Sequence, residues 1–199
     1  HQRSVGATFV SGIHPDTGEL FVMGEPLVGG WGASDRLDGD SGQFCCANGE
    51  TFNIPVELFE SRYGIQVEQY AFHDEDGGAG EYRGGKGVVL DYKVTSDEAY
   101  LTYAASRTIS TPWGMNGGKP GSNNYAQILR RDGSVERHHM CTTVPAQKGE
   151  VIRLITGTGG GYGKPANRPL DKLKADIRNG YVTPEQAVRD YGFDAADLV

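Results

Sequence analysis

The chain has 199 residues, 37% of them apolar and 10% aromatic, enough to bury a sizeable core in one domain or one domain with a small appendage. Nineteen Lys and Arg against 26 Asp and Glu leave a formal charge of -7 with no dense basic run, which argues against nucleic acid as a partner. No stretch approaches the roughly 20 apolar residues of a membrane span, and no signal-peptide core follows the first residues, so a cytoplasmic setting is expected.

The 30 glycines predict many tight turns rather than long helices, hence a β-rich body. In chain order, 5–28 reads as a hairpin, with Phe9 and the Leu20-Phe21-Val22-Met23 run separated by the turn-like His14-Pro15-Asp16-Thr17-Gly18. The stretch 29–49 is dense in Gly, Asp and Ser, shows no period of 2 or 3.6, and is read as a long loop or an irregular strand pair. Pro55 opens a short helix, and 65–72 returns to strand composition. The clearest strand is 88–94, with Val88, Leu90, Tyr92 and Val94 on one face. Residues 100–105 form another, 111–124 must be loop, and 125–130 and 135–138 flank the hairpin dipeptide Asp132-Gly133. Residues 151–155 close the strand series. Two helices follow: Leu170, Leu173 and Ile177 behind Pro169 with a stop at Asn179-Gly180, then Thr183 as a cap with Pro184 in the first turn and Gln186 reaching back, ending near Gly192. The predicted class is α+β, mostly β: a body over 1–165 and a helical appendage over 166–199.

Several chemical signatures are incomplete. The run from Gly157 to Lys164 fails as a phosphate loop because Thr158 stands five residues before Gly163 and Pro165 follows the lysine, so it is read as a structural glycine turn. In 76–87, Arg83 replaces the last glycine of a dinucleotide fingerprint and a strand, not a helix, follows. Packing is preferred over ligand contact as the reason for those glycines. Asp35, Asp38 and Asp40 lack the later ligands of a calcium loop. His73 to Asp76 reads as a solvated acidic turn, since consecutive residues on an extended chain face opposite ways. His138, His139 and Cys141 lack the gaps of a zinc site, and Gly32-Ala33-Ser34-Asp35-Arg36 misses the last glycine of a nucleophile elbow. The three cysteines, two of them the adjacent Cys45 and Cys46, are expected as reduced thiols. An N-terminal His1 in place of methionine suggests a processed or excised segment, or a sequence whose beginning is not shown.

Taken in order, Gly29-Gly30-Trp31-Gly32-Ala33, Asp38-Gly39, the segment 53–57 with Glu60, the block 76–87, Pro112-Trp113-Gly114, 117–121, 159–163 and the tail through Tyr191-Gly192 resemble the C-terminal part of the hydantoinase B/oxoprolinase family. The resemblance spans about 28–193. It implies a subunit that works with a hydantoinase A-like ATP-binding partner to hydrolyse a cyclic amide such as hydantoin, N-methylhydantoin or 5-oxoproline, related assemblies carboxylating acetone or acetophenone instead. It further implies that ATP belongs to the partner and the divalent metal to an N-terminal hydantoinase B-like segment, so that this stretch binds neither and is inactive alone. Gly29, Gly30, Asp38, Glu57, Arg62, Asp76 and Arg83 are then candidates for the substrate cleft or the contact between segments, Arg83 as a fork for a carboxylate or phosphorylated intermediate. The alternative for these residues is Asp–Arg or Glu–Arg pairing that fixes loops. The alternative for the chain is a non-catalytic assembly module.

Overall fold

The computed structural model describes residues 7–44, 52–194 and 196; Cys45 and Cys46 lie outside them. Among the described residues nine strands form two antiparallel sheets. Strands β1 (Ala7–Ile13) and β2 (Leu20–Pro26) make the expected hairpin, and β5 (Glu98–Ala104) and β8 (Cys141–Gln147) complete a four-stranded sheet in the order β2-β1-β5-β8. The second sheet runs β3 (Ile65–Phe72), β4 (Val88–Val94), β9 (Val151–Ile155), β6 (Tyr125–Leu129), β7 (Val135–His138).

Alternation builds the core between them. Val10, Met23, Leu101 and Tyr103 of the first sheet and Leu90, Tyr92, Ile128, Ile152 and Leu154 of the second belong to one buried cluster, so the two inner faces are packed against each other as a sandwich. Helix α1 (Val56–Arg62) follows Pro55 and caps this core with Phe59. Strand β8 escaped the sequence reading. It is an edge strand, it carries Pro145, and Thr143 at φ 55 forms a bulge opposite β5, so its alternation is broken.

The glycine blocks lie outside the sheets. As β9 ends, the chain runs on through 157–163 as an extended segment, and 76–87 leads into β4 alongside it, the Thr156 amide donating to the Val88 carbonyl (2.9 Å). The segment 157–163 is not the glycine turn the sequence suggested, and of its glycines only Gly163 has a positive φ. It threads the middle of a backbone layer. Gly30 donates to the Gly157 carbonyl (3.0 Å), Ala33 to Gly160 (2.9 Å), Gly78 to Gly159 (2.9 Å), Gly159 to Gly85 (2.9 Å) and Gly161 to Lys119 (2.9 Å). These glycines are required by closeness rather than by turns: a Cβ on Gly159 would stand 1.8 Å from the Trp31 carbonyl oxygen, and one on Gly84 1.9 Å from that of Gly159.

Helices α2 (Leu170–Arg178) and α3 (Pro184–Gln186, continued by a π turn over Ala187–Tyr191) rest on this layer, where Leu173, Val182, Ala187 and Tyr191 share a small core with Ala79. Gly180 and Gly192 end them in the left-handed conformation, as expected. Thr183 caps α3 by accepting from the Gln186 amide (3.0 Å). The Gln186 side chain does not reach back to complete a capping box; it is buried and donates instead to the Gly77 carbonyl (2.8 Å).

Candidate functional site

Two of the predicted residues, Asp38 and Arg83, meet in a buried charged cluster. Arg168, on the approach to α2, grips both Asp38 oxygens (2.8 and 2.9 Å) and turns its other edge to Asp176 (2.5 Å). Arg83 donates its backbone amide to Asp38 (2.7 Å) and its Nε to Asp176 (2.9 Å), with its guanidinium 4.1 Å above the Tyr181 ring. Burial acts to raise the Asp38 carboxyl, but the Arg168 bonds and charge and the Arg83 amide outweigh it and hold it below the usual carboxylate range. Two acids and two arginines satisfy one another here, so the cluster joins 38, 83, 168 and 176 while leaving little charge for a ligand.

Sequence reasoning missed Arg168 and placed Asp176 only within the family-like tail. Asp38 and Arg168 stand 130 positions apart, and neither neighbourhood carries a periodic signal that pairs them. Asp76 sits apart from this cluster: its carboxylate accepts from Arg189 (2.6 Å), which also binds Asp190 (2.8 Å), itself held by Lys119 (2.7 Å). Gly29 and Gly30 are buried in the backbone layer, Gly29 exchanging amide bonds with Gln43 (2.9 and 2.8 Å). Glu57 and Arg62 are exposed on α1, and no ion pair among the described residues includes either.

His73 is part of the layer's edge, not of a solvated turn. Its Nδ1 accepts from the Glu75 amide (3.0 Å), which leaves the proton on Nε2 to be donated to the Thr156 carbonyl (2.6 Å). Burial lowers its pKa, in the direction of the neutral ring that this bonding requires. Beside it, buried Lys86 donates to the Glu75 carbonyl (2.9 Å), and Tyr125 donates to the Glu75 carboxylate (2.8 Å).

The residues for cofactor chemistry can be tested the same way. In 157–163 the amides of Gly157, Thr158, Gly159, Gly161, Tyr162 and Gly163 all donate within the protein, which removes the free N–H groups that a phosphate cradle needs. Among the described residues no three His, Cys, Asp or Glu side chains are grouped to hold a metal ion, so the described residues do not fit a divalent metal. Cys141 is a free thiol. No helix among the described residues is long and apolar enough to cross a membrane.

The family model for Hydantoinase B/oxoprolinase matches residues 1–165, and the chain belongs to this family. It is 33% identical over 139 residues to an uncharacterised protein of Methanocaldococcus jannaschii, covering 70% of this chain and 24% of that protein. To the caprolactamase subunit beta of Pseudomonas jessenii it is 31% identical over 177 residues, covering 83% of this chain and 29% of that one. The chain thus spans less than a third of the length of these relatives. The solved ATP-dependent caprolactamase of Pseudomonas jessenii superposes with a TM-score of 0.78 at 27% identity, over 94% of this chain and 34% of that one. A nucleotide-free acetone carboxylase shares the fold, with a TM-score of 0.80 at 21% identity over 94% of this chain and 29% of the other.

Proposed function

We propose that this chain is the part of a hydantoinase B-type subunit that completes, without itself carrying, the active site of an ATP-dependent cyclic amidohydrolase acting on a hydantoin, N-methylhydantoin or 5-oxoproline. A hydantoinase A-like subunit supplies the ATP-binding site, and an N-terminal hydantoinase B-like segment supplies the divalent metal. The observation that carries the reading is the backbone layer: six of the seven amides of its central segment 157–163 donate within the protein and its charged cluster is self-neutralised, which suits a rigid wall against which another segment places reactive groups. In this role Gly29 and Gly30 set the wall's close-packed face, Asp38, Arg83 and Asp76 fix its loops, and Glu57 and Arg62 offer exposed charges for contact with a neighbouring segment. Being fixed in advance, such a wall positions a substrate without reorganising during reaction.

Carboxylation of a small ketone is the second reading, favoured by the fold shared with acetone carboxylase. Co-expression of the chain with the N-terminal segment and the A-like subunit separates the two. Ring opening of the three cyclic amides with ATP supports the first reading, and bicarbonate incorporation into acetone supports the second. Unchanged turnover when this chain is left out overturns both in favour of an assembly module, and turnover by the purified 199-residue chain alone would contradict the division of labour.

A further inference from the structure

Among the described residues, buried carboxylates come with arginines, with one exception. Asp91 pairs with Arg153 (2.6 Å), Glu150 with Arg130 (2.8 Å) and Asp176 with Arg83 (2.9 Å) and Arg168 (2.5 Å). Glu25, on β2 and 7% exposed, forms no ion pair among the described residues. Its hydrogen-bond partner is the neutral hydroxyl of Tyr92 on β4. A buried acid without a counter-charge is costly, and burial accordingly pushes the Glu25 carboxyl up.

Glu25 opens into a cavity of about 250 Å³ between the edge strands β2 and β3 under α1, lined among others by Asn53, Phe59, Val67, Tyr70 and Tyr92. Phe59 and Tyr92 stack there with ring centroids 5.2 Å apart. Asn53 donates its Nδ2 to the Tyr70 hydroxyl (2.8 Å), while its Oδ1 is buried with no partner among the described residues. The cavity therefore offers an uncompensated acid and aromatic faces, both of which call for N–H donors and positive charge. Its apolar wall of Ile54, Val56 and Leu90 suits a short hydrocarbon chain, and with liquid water occupying about 30 Å³ per molecule, the volume admits roughly four to six carbons.

We propose that this pocket is a binding site for a primary alkylammonium ligand, whose N–H groups are taken by the Glu25 carboxylate and whose chain lies against the Phe59 side of the cavity. The ligand supplies the counter-ion that arginine provides at Asp91, Glu150 and Asp176. The site requires neither ATP nor a partner subunit, so it goes beyond the proposed cyclic-amide chemistry and stands or falls without it.

Calorimetric titration of the full chain with n-butylammonium chloride tests it, with 1-butanol and sodium butyrate as size-matched neutral and anionic probes. Saturable binding of the ammonium alone is expected. Glu25→Gln weakens it by about tenfold or more, as does Val67→Phe, which keeps the carboxylate and fills the cavity; the exposed Glu185→Gln leaves it unchanged. Near-UV circular dichroism confirms that each variant is folded. Equal affinity in Glu25→Gln, binding of 1-butanol as tight as that of the ammonium, or no saturable binding by the folded chain would overturn the assignment.

Discussion

In the sandwich, adjoining sheets are held about 10 Å apart by the side chains that interdigitate between them, whereas in the glycine layer adjoining segments touch backbone to backbone, with no room for a Cβ at Gly84 or Gly159. The first region draws its stability from apolar side chains removed from water, the second from amide bonds and close atomic packing, with buried charges tying its loops together. A sandwich can repack around a lost methyl group. A layer made of main chain has no rotamers with which to adapt, so the two regions differ in tolerance as well as in construction.

That contrast is sharpest at Gly159. Gly159→Ala places a methyl group on the Trp31 carbonyl and within 2.7 Å of the Gly32 nitrogen; loss of more than about 4 kcal/mol, or failure to fold, is expected in urea denaturation. Near-native stability of this variant would break the comparison. Next, Arg168→Met leaves the buried Asp176 and the half-buried Asp38 without their shared cation, at a cost of about 3 kcal/mol. Hydrogen exchange in that variant accelerates first in 29–44, 76–87 and α2, while β4 and β9 stay protected. Leu101→Ala in the sandwich leaves a cavity worth about 3 kcal/mol, read from the same denaturation curves with the layer's exchange rates unchanged. The smallest effect belongs to Gly133→Ala in the β6–β7 turn, where φ is +85 but a Cβ meets nothing within 4 Å. The cost there is about 1 kcal/mol, from left-handed backbone alone, and it separates the two reasons for which this protein uses glycine.

Legibility in the sequence follows the same division. Alternation at Val88, Leu90, Tyr92 and Val94 revealed β4, and Asp132-Gly133 the β6–β7 hairpin, because both signals are local. Leu170, Leu173 and Ile177 gave α2 for the same reason. The glycine blocks were visible as blocks, and their order carried the family resemblance, but the layer was not legible: a residue without a side chain leaves no periodicity to read. Of the candidate site, Asp38 and Arg83 were singled out separately, and their union depends on Arg168, which no local pattern announces. Glu25 was passed over because a single acid among Gly24, Pro26 and Leu27 looks like the end of an exposed strand, and its burial is set by Tyr92, 67 positions away.

The route of 157–163 through the middle of the layer bears on how the polypeptide is made. Synthesis delivers 29–44, 76–87 and 115–121 before the segment that they all grip, and the clasp between Arg168 and Asp38 joins residues 130 positions apart. Until that late stretch leaves the ribosome, the earlier ones have unpaired amides and little hydrophobic surface with which to hold one another. High contact order of this kind slows folding. Maturation of this region is therefore gated by synthesis of 157–168, and translation halted shortly before residue 157 would leave a protease-sensitive intermediate with a partly formed sandwich and no central segment around which the layer could close.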